Sequence, residues 1–440
     1  MKSDDALLAA WEETLARKGD APAIFDTRGA VLRTFREVEN RARDLESQID
    51  PAGNTRVYPI DIGNHPDWPS HLLAALRQDL VALPLEGSVT PQQRAAALAI
   101  CQGDWGERPP ALLKLTSGTT AAPRAIRFRS EQLVADCIQI CDTMGIGPND
   151  LNFGVIPLSH SYGFSNLVTP LLVRGVPLVV SRDRMPRAVL DDLARTGATV
   201  FPGMPVFYQA FCEMENPPAL PKLRLCISAG APLPLEIARK FRERFQRSIH
   251  SFYGSSECGG ICYDREARLL EAGFVGPPMR GVELELLAPE ASSGLIRVRS
   301  AAAGDGYFPE PDEDKLGDGC FTPDDLLSAS QEGFRIVGRI SDVINVAGKK
   351  VNPAEVEAAL LRCEGVRAAV VFGLSSRLRN EEVAACVVAG EGVRETELLE
   401  FCRGRLSGWQ VPKRIFFLDE IPVNERGKVS RRELAQRFGA

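Results

Sequence analysis

The chain has 440 residues, 44% of them apolar and 25% charged, with a formal net charge of −6. That length suffices for two or three domains with sizeable cores, and the charge speaks against nucleic acid or an anionic membrane as the main partner. No run approaches the roughly 18 apolar residues of a membrane span, and the acidic, helix-patterned MKSDDALLAAWEETLARKGD does not read as a signal peptide, so a cytoplasmic location is the expectation. Eleven cysteines are scattered without a CxxC pair, and only four histidines are present. Buried, reduced thiols are therefore expected rather than a zinc site.

Short apolar strands alternate with amphipathic helices from the start. Leu7, Leu8 and Trp11 form a helical stripe, and residues 23–25 and 31–35 read as strands. Thr34 followed by Glu37 caps a helix through Leu45. Residues 57–62 and 81–85 read as buried strands on either side of a helix over 68–80, an order that implies a parallel sheet with crossover helices. Asn64 and His65 fall at a strand's C-terminal end, where such sheets bind ligands, although His65 before Pro66 is also an ordinary loop residue. One helix, over 91–101, fits before the next strand.

Residues 113–129, LKLTSGTTAAPRAIRFR, carry the densest signal. Thr116, Ser117, Gly118, Thr119 and Thr120 place four hydroxyls and a glycine in five residues. Such a loop can turn hydroxyls and backbone N–H groups on an anion, and Arg124 adds a planar cationic fork suited to phosphate. A solvated Ser/Thr/Gly turn has the same composition. The flanks read strand, loop, strand, unlike the strand-to-helix GxxxxGK[ST] loop, which is absent. LTSGTTAAPR resembles the phosphate loop of the adenylate-forming superfamily, which includes acyl-CoA synthetases, adenylation domains and beetle luciferases. That loop usually reads [ST]SG[ST]TGxPK; here Ala121 replaces the second glycine and Arg124 the lysine. Only ten of the 52 basic residues are lysine, so arginine is this chain's usual cation.

Ser130 then caps a helix through Cys141. Residues 152–164, NFGVIPLSHSYGF, resemble the family's PLxHxxG segment, which implies His160 beside the acyl pocket and the α-phosphate, with Gly163 and Phe164 shaping the pocket wall. A satisfied structural histidine is the alternative at His160. Residues 167–180 read as a helix into a strand, and 198–201 as a further strand. LRLCISAGAPL, residues 223–233, is a strand running into small side chains, and the resemblance places adenine against Ala229, Gly230, Ala231 and Pro232. In SFYGSSECGG, residues 251–260, Tyr253 can stack on a purine, Gly254 permits close approach, and Glu257 beside Ser255 and Ser256 suits Mg2+ carried by a triphosphate. The segment resembles the family's YGxTE, with Ser256 in place of Thr. Gly259 and Gly260 leave room for an acid side chain, or serve as turn glycines.

From 276 to 339 the pattern changes to short strands and turns, a small β-rich subdomain. Within it DGCFTPDDL, residues 318–326, resembles GWFxTGDL, which aligns Asp325, or its neighbour Asp324, with the aspartate that holds both ribose hydroxyls. GRISDVINVAGKKVNPAEVE, residues 338–357, resembles the family's hinge motif. Arg339 then falls on the ribose-phosphate side, Ser341 at the hinge, and Gly348 on the face that meets a thiol. A helix starting at Asn352, strands at 368–372 and 383–389, a helix over 396–406 and a strand at 414–418 complete a small α+β unit. In IPVNERGKVSRREL, Lys428 matches the lysine that bridges the acid's carboxylate and the α-phosphate; a solvated charge is the alternative.

The resemblance spans nearly the whole chain and implies an α/β fold. A large N-terminal adenylation domain, residues 1–338, would hold parallel sheets with helices plus the β-rich subdomain, and residues 339–440 would form a mobile C-terminal lid. The implied activity is ATP- and Mg2+-dependent conversion of a small carboxylic acid to an acyl-adenylate, with Lys428, His160, Glu257 and Thr119 at the reacting centre. Transfer follows to the thiol of coenzyme A or of phosphopantetheine on an acyl carrier protein. Ala121, Arg124 and the altered DGCFTPDDL leave open a homologue that binds nucleotide or acyl group without catalysis. A kinase or phosphatase is a third possibility, which the missing GK[ST] loop disfavours.

Overall fold

The computed structural model describes residues 5–49, 56–103, 105, 109–116, 124–287, 293–376, 380–422 and 429–439. Ser117, Gly118, Thr119, Thr120 and Lys428 lie outside them. The chain forms two compact units: residues 1–285, 297–323 and 330–335 make the first, and residues 286–296, 324–329 and 336–440 the second.

In the first unit, α1 (Ala6–Lys18) is capped by the Asp5 carboxylate, which accepts from the N–H groups of Leu7 and Leu8. Helix α2 (Phe35–Gln48) carries the expected capping box: the Glu37 N–H donates to the Thr34 hydroxyl, and the Thr34 N–H to the Glu37 carboxylate. One sheet has eight strands. In chain order these are β1 (Pro22–Phe25), β2 (Val31–Thr34), then Asn152–Gly154, Leu178–Val180, Val200–Gly203, Leu225–Ser228, Ile249–Ser255 and Gly259–Tyr263. Its interior pairings are parallel and its two edge pairings antiparallel. The four central strands, Asn152–Gly154, Leu178–Val180, Val200–Gly203 and Leu225–Ser228, are buried along their whole length, as parallel strands covered on both faces are.

A second, five-stranded sheet contains β3 (Val57–Ile60), β4 (Val81–Pro84), β5 (Leu112–Leu115), β6 (Ala125–Phe128) and the strand Gly306–Phe308. Strands β3, β4 and β5 are parallel; β6 turns back antiparallel on β5, and Gly306–Phe308 pairs antiparallel with the far edge of β6. Helix α3 (Trp68–Arg77) crosses over between β3 and β4, and α4 (Pro91–Ile100) between β4 and β5. Helix α5 (Ser130–Met144) follows β6 and ends at Gly145 in the left-handed region; Ser130 is its first residue rather than its cap, because its hydroxyl donates to the Asp5 carboxylate instead of capping the helix.

In the second unit, strands Val366–Ser376 and Asn380–Ala389 form a long antiparallel pair. It is extended by Ile344–Val346, Lys349–Val351 and, in parallel, Arg414–Phe417. Alternation along Val366–Ser376 divides its side chains between two cores. Val371 joins Val356, Leu360, Leu398 and Cys402, while Val370, Phe372 and Leu374 pack with Leu434. Helices Pro353–Leu360 and Glu395–Arg403 supply the first core and Arg431–Phe438 the second.

Two expectations are corrected. The units do not part at a single point after residue 338, because residues 286–296 and 324–329 belong to the second unit. There Gly294 and Leu295 ladder with Leu327 and Leu326, and the strand Asp325–Ser330 neighbours Gly333–Arg339 in the same sheet. The start of 167–180 is not an ordinary α-helix either: Phe164–Val168 and Pro170–Arg174 are wide π-turns. Pro170 has no N–H to donate, and the Thr169 hydroxyl bonds back to the Ser165 carbonyl at 3.0 Å, both of which disturb a regular ladder.

Candidate active site

At the ends of β5 and β6, Thr116 and Arg124 close the base of the phosphate loop. The Thr116 N–H donates to the Arg124 carbonyl at 2.8 Å, and the Arg124 N–H to the Thr116 hydroxyl at 3.2 Å. Thr116 is thus engaged in holding the loop's ends together. The guanidinium of Arg124 lies 4.0 Å from the ring centroid of Tyr307 and 3.5 Å from the Asp312 carboxylate. The Tyr307 hydroxyl donates to Glu257 Oε1 at 3.2 Å. Three residues far apart in sequence therefore form one contact series: cation, aromatic face, phenol, carboxylate. Burial and the Glu257 charge both push the Tyr307 phenol upward, so it stays a donor. Tyr307 escaped the sequence reading, since its strand reaches the site only by adding to the edge of β6, where Tyr307 faces Ile126.

The YGSSE segment turns from Ile249–Ser255 into Gly259–Tyr263. The Ser255 hydroxyl accepts from the N–H groups of Glu257 and Cys258, which fixes the turn that presents Glu257. Gly254 has no room for a side chain, because a Cβ would stand 2.6 Å from the Gly259 carbonyl. Tyr253 is buried. Ser256 accepts from the Ser161 hydroxyl at 2.9 Å, so this turn is tied to the segment that carries His160. His160 Nδ1 accepts from the Tyr162 N–H, and the hydroxyl of the half-buried Tyr162 donates to the Gly203 carbonyl. Ala229 donates to that same Gly203 carbonyl, which brings the adenine candidates Ala229, Gly230, Ala231 and Pro232 to the neighbourhood of His160. Gly230 adopts φ +85°, and Gly230, Ala231 and Pro232 are exposed.

The acyl-pocket candidates divide. Gly163 is dictated by packing, since a Cβ would come within 2.0 Å of the Pro157 carbonyl. Phe164 is buried, its ring edge-on to Trp68 at 5.9 Å. Gly259 and Gly260 lie against the buried Asp136: the Gly260 N–H donates to Asp136 Oδ1 at 3.0 Å, and a Cβ on Gly259 would sit 2.0 Å from that oxygen.

The remaining candidates belong to the second unit. Arg339 donates through Nε to Asp325 Oδ1 at 2.5 Å, joining the two ribose candidates, while Asp324 offers its backbone carbonyl to Ile340. Ser341 is exposed on the short turn Ile340–Asp342. That turn is anchored by Arg431, which donates to Asp342, Glu357 and the Val371 carbonyl. Ala347 and Gly348, both with positive φ, make the two-residue turn between Ile344–Val346 and Lys349–Val351, and nothing lies within 4 Å of a Cβ on Gly348. Lys349 lies over the ring of Trp409 at 3.8 Å.

The cysteines are free, and burial pushes the Cys101 and Cys226 thiols up to about 12. Among the described residues no cluster of three or more His, Cys, Asp or Glu could hold a metal ion, and no helix is long and apolar enough to cross a membrane.

The AMP-binding enzyme family matches residues 102–308, and the AMP-binding enzyme C-terminal domain matches residues 355–428. A feruloyl-CoA synthase of Amycolatopsis sp is 29% identical over 343 residues, covering 74% of this chain and 70% of that protein. A 3,4-dihydroxybenzoate–[aryl-carrier protein] ligase of Bacillus anthracis is 28% identical over 364 residues, covering 80% and 82%. The crystal structure of ATP-bound MatB from Rhodopseudomonas palustris superposes with a TM-score of 0.84 at 23% identity, covering 98% of each chain, a likeness of fold. With both domains matched in order along one chain, and CoA and carrier-protein ligases among its relatives, this protein belongs to the adenylate-forming superfamily as an AMP-forming acid–thiol ligase.

Proposed function

We propose that the chain joins a small carboxylic acid to AMP and then to a thiol. A carboxylate oxygen attacks the α-phosphorus of ATP, pyrophosphate leaves, and the thiolate sulfur displaces AMP from the acyl carbon. Both coenzyme A and carrier-bound phosphopantetheine are retained as acceptors, since the two relatives are named for one each. The observation that best supports this reading is the Arg124–Tyr307–Glu257 series beside the phosphate loop. It sets a cation where phosphate oxygens would lie and a carboxylate that would hold Mg2+ arriving with them. A single carboxylate fits an ion that keeps its waters and phosphates better than it fits a resident metal. When bound, Mg2+ would neutralise charge on the phosphates. His160, Thr119, the adenine candidates, Asp325 with Arg339, Ser341, Gly348 and Lys428 keep their implied roles as parts of this proposal.

The test is ATP–pyrophosphate exchange over a panel of acids, with mass detection of AMP esters. Acid-dependent exchange with AMP as product supports the reading; ADP or phosphate as product would overturn it. A second reading, a binding protein without catalysis, draws on Arg124 being paired with Asp312 rather than left open to phosphate. It requires ATP binding with no exchange for any acid.

A further inference from the structure

Strand β5 is apolar at Leu112, Leu113 and Leu115, yet its third residue is Lys114. Among the described residues it is the one lysine or arginine buried to this degree, with 6% of its surface exposed. Two residues on, Thr116 closes the phosphate loop. Positions i and i+2 of an extended chain point to the same face, so Lys114 lies one strand step behind the loop's base. Its ammonium is 4.5 Å from the ring centroid of Phe128 and 5.4 Å from that of Phe164. The opposite charges that bear on it are Asp136 and then Glu257.

Neither carboxylate satisfies it. Asp136, 4% exposed, already accepts the Ser165 hydroxyl at 2.5 Å and the Gly260 N–H at 3.0 Å. Among the described residues Lys114 Nζ makes no hydrogen bond or ion pair, and its ring contacts are those to Phe128 and Phe164. Aromatic faces attract a cation, but they do not fill three N–H donors. Burial accordingly pushes the Lys114 ammonium downward and the Asp136 carboxyl upward. An ammonium in this position calls for an anion from outside the chain. The Phe164 ring beside it is a wall of the proposed acid site, and the Asp136 that bears on it holds Gly260, another residue of that site. An alkyl tail there would leave the donors unmet.

We propose that Lys114 determines acid specificity, its ammonium receiving a second anionic group, a carboxylate or sulfonate, at the far end of a short acid. This rests on the adenylation reading, since it assigns Lys114 to the acid rather than to ATP.

The test compares length-matched acid pairs, butanoate with succinate and hexanoate with adipate, in pyrophosphate exchange and in binding followed by tryptophan fluorescence. Wild type is expected to favour the distally anionic member by tenfold or more in kcat/KM. Lys114→Met should abolish that preference, and Lys114→Arg should keep part of it. Because Lys114→Met strands Asp136 in the core, the double variant Lys114→Met/Asp136→Asn provides a neutral, foldable version. Wild-type preference for the apolar members, an unchanged ratio in the variants, or a rise confined to the KM for ATP would each overturn the assignment while leaving adenylation intact. Selective, Lys114-dependent binding of the dianions without exchange would overturn adenylation and sustain Lys114 as the anion site. Absence of both binding and exchange for every pair would overturn both.

Discussion

Tyr307 joins the cation and the carboxylate of the candidate site through one ring, its face under Arg124 and its hydroxyl on Glu257. Tyr307→Phe keeps the stacking and removes the hydrogen bond, so exchange is expected to fall roughly 3- to 10-fold, the worth of one such bond. Tyr307→Ala should cost more, because it also frees Arg124. Asp325→Ala should weaken ATP binding by tenfold or more, measured by equilibrium titration; unchanged affinity would point instead to Asp324 or to neither. Glu257, Arg124 and Asp325 were legible as residue types in recognisable strings. Tyr307, Asp136 and Lys114 were not: a tyrosine among glycines, an aspartate on a helix face and a lysine in an apolar strand carry no mark of one another until pairing brings them close.

Helix caps and tight turns are decided by neighbours in sequence, and these elements matched expectation best. Thr34 and Glu37 cap α2 reciprocally, and Asn352 caps Pro353–Leu360 by accepting from the Ala354 N–H. The π-turns after His160 were less legible, since they depend on Pro170 and on a hydroxyl bonding back to the chain. Gly163 lies at the entry to them, against the Pro157 carbonyl. Gly163→Ala is expected to destabilise the protein by about 1–3 kcal/mol through overpacking, read from urea denaturation, with a smaller effect on ATP affinity than on stability. Burial also sorts the thiols. Eight of the eleven cysteines are buried, and Cys212, Cys320 and Cys363 are half-buried. Brief iodoacetamide treatment of the native protein should label only those three, as peptide mass mapping would show.

Across the molecule, half-buried histidines set a pH dependence. Burial holds His250 below its ordinary value, its Nδ1 on the Asp264 carbonyl and its ring stacked on Tyr263. The unfolded chain therefore takes up its proton first. The stability contributed by neutral His250 is complete above about pH 7 and declines as pH falls through the unfolded value near 6.5 toward the lower folded one. Chemical denaturation between pH 5 and 7.5 should give a shallower slope for His250→Gln than for wild type, a difference that cancels every other titrating group. An equal slope would contradict it. The second unit has both its cores within residues 344–438. Residues 336–440 expressed alone are expected to unfold cooperatively in urea, monitored by circular dichroism.

Local chemistry settled what could be read in advance, strand and helix order and the helix caps, because each depends on residues within a few positions of one another. Pairing across the chain settled the rest. Strand pairing places Gly294 and Leu295 beside Leu327 and Leu326 in the sheet that holds Gly333–Arg339, and an edge strand sets Tyr307 between Arg124 and Glu257. Packing between the rings of Phe128 and Phe164 encloses a lysine whose charge would otherwise have been left to water.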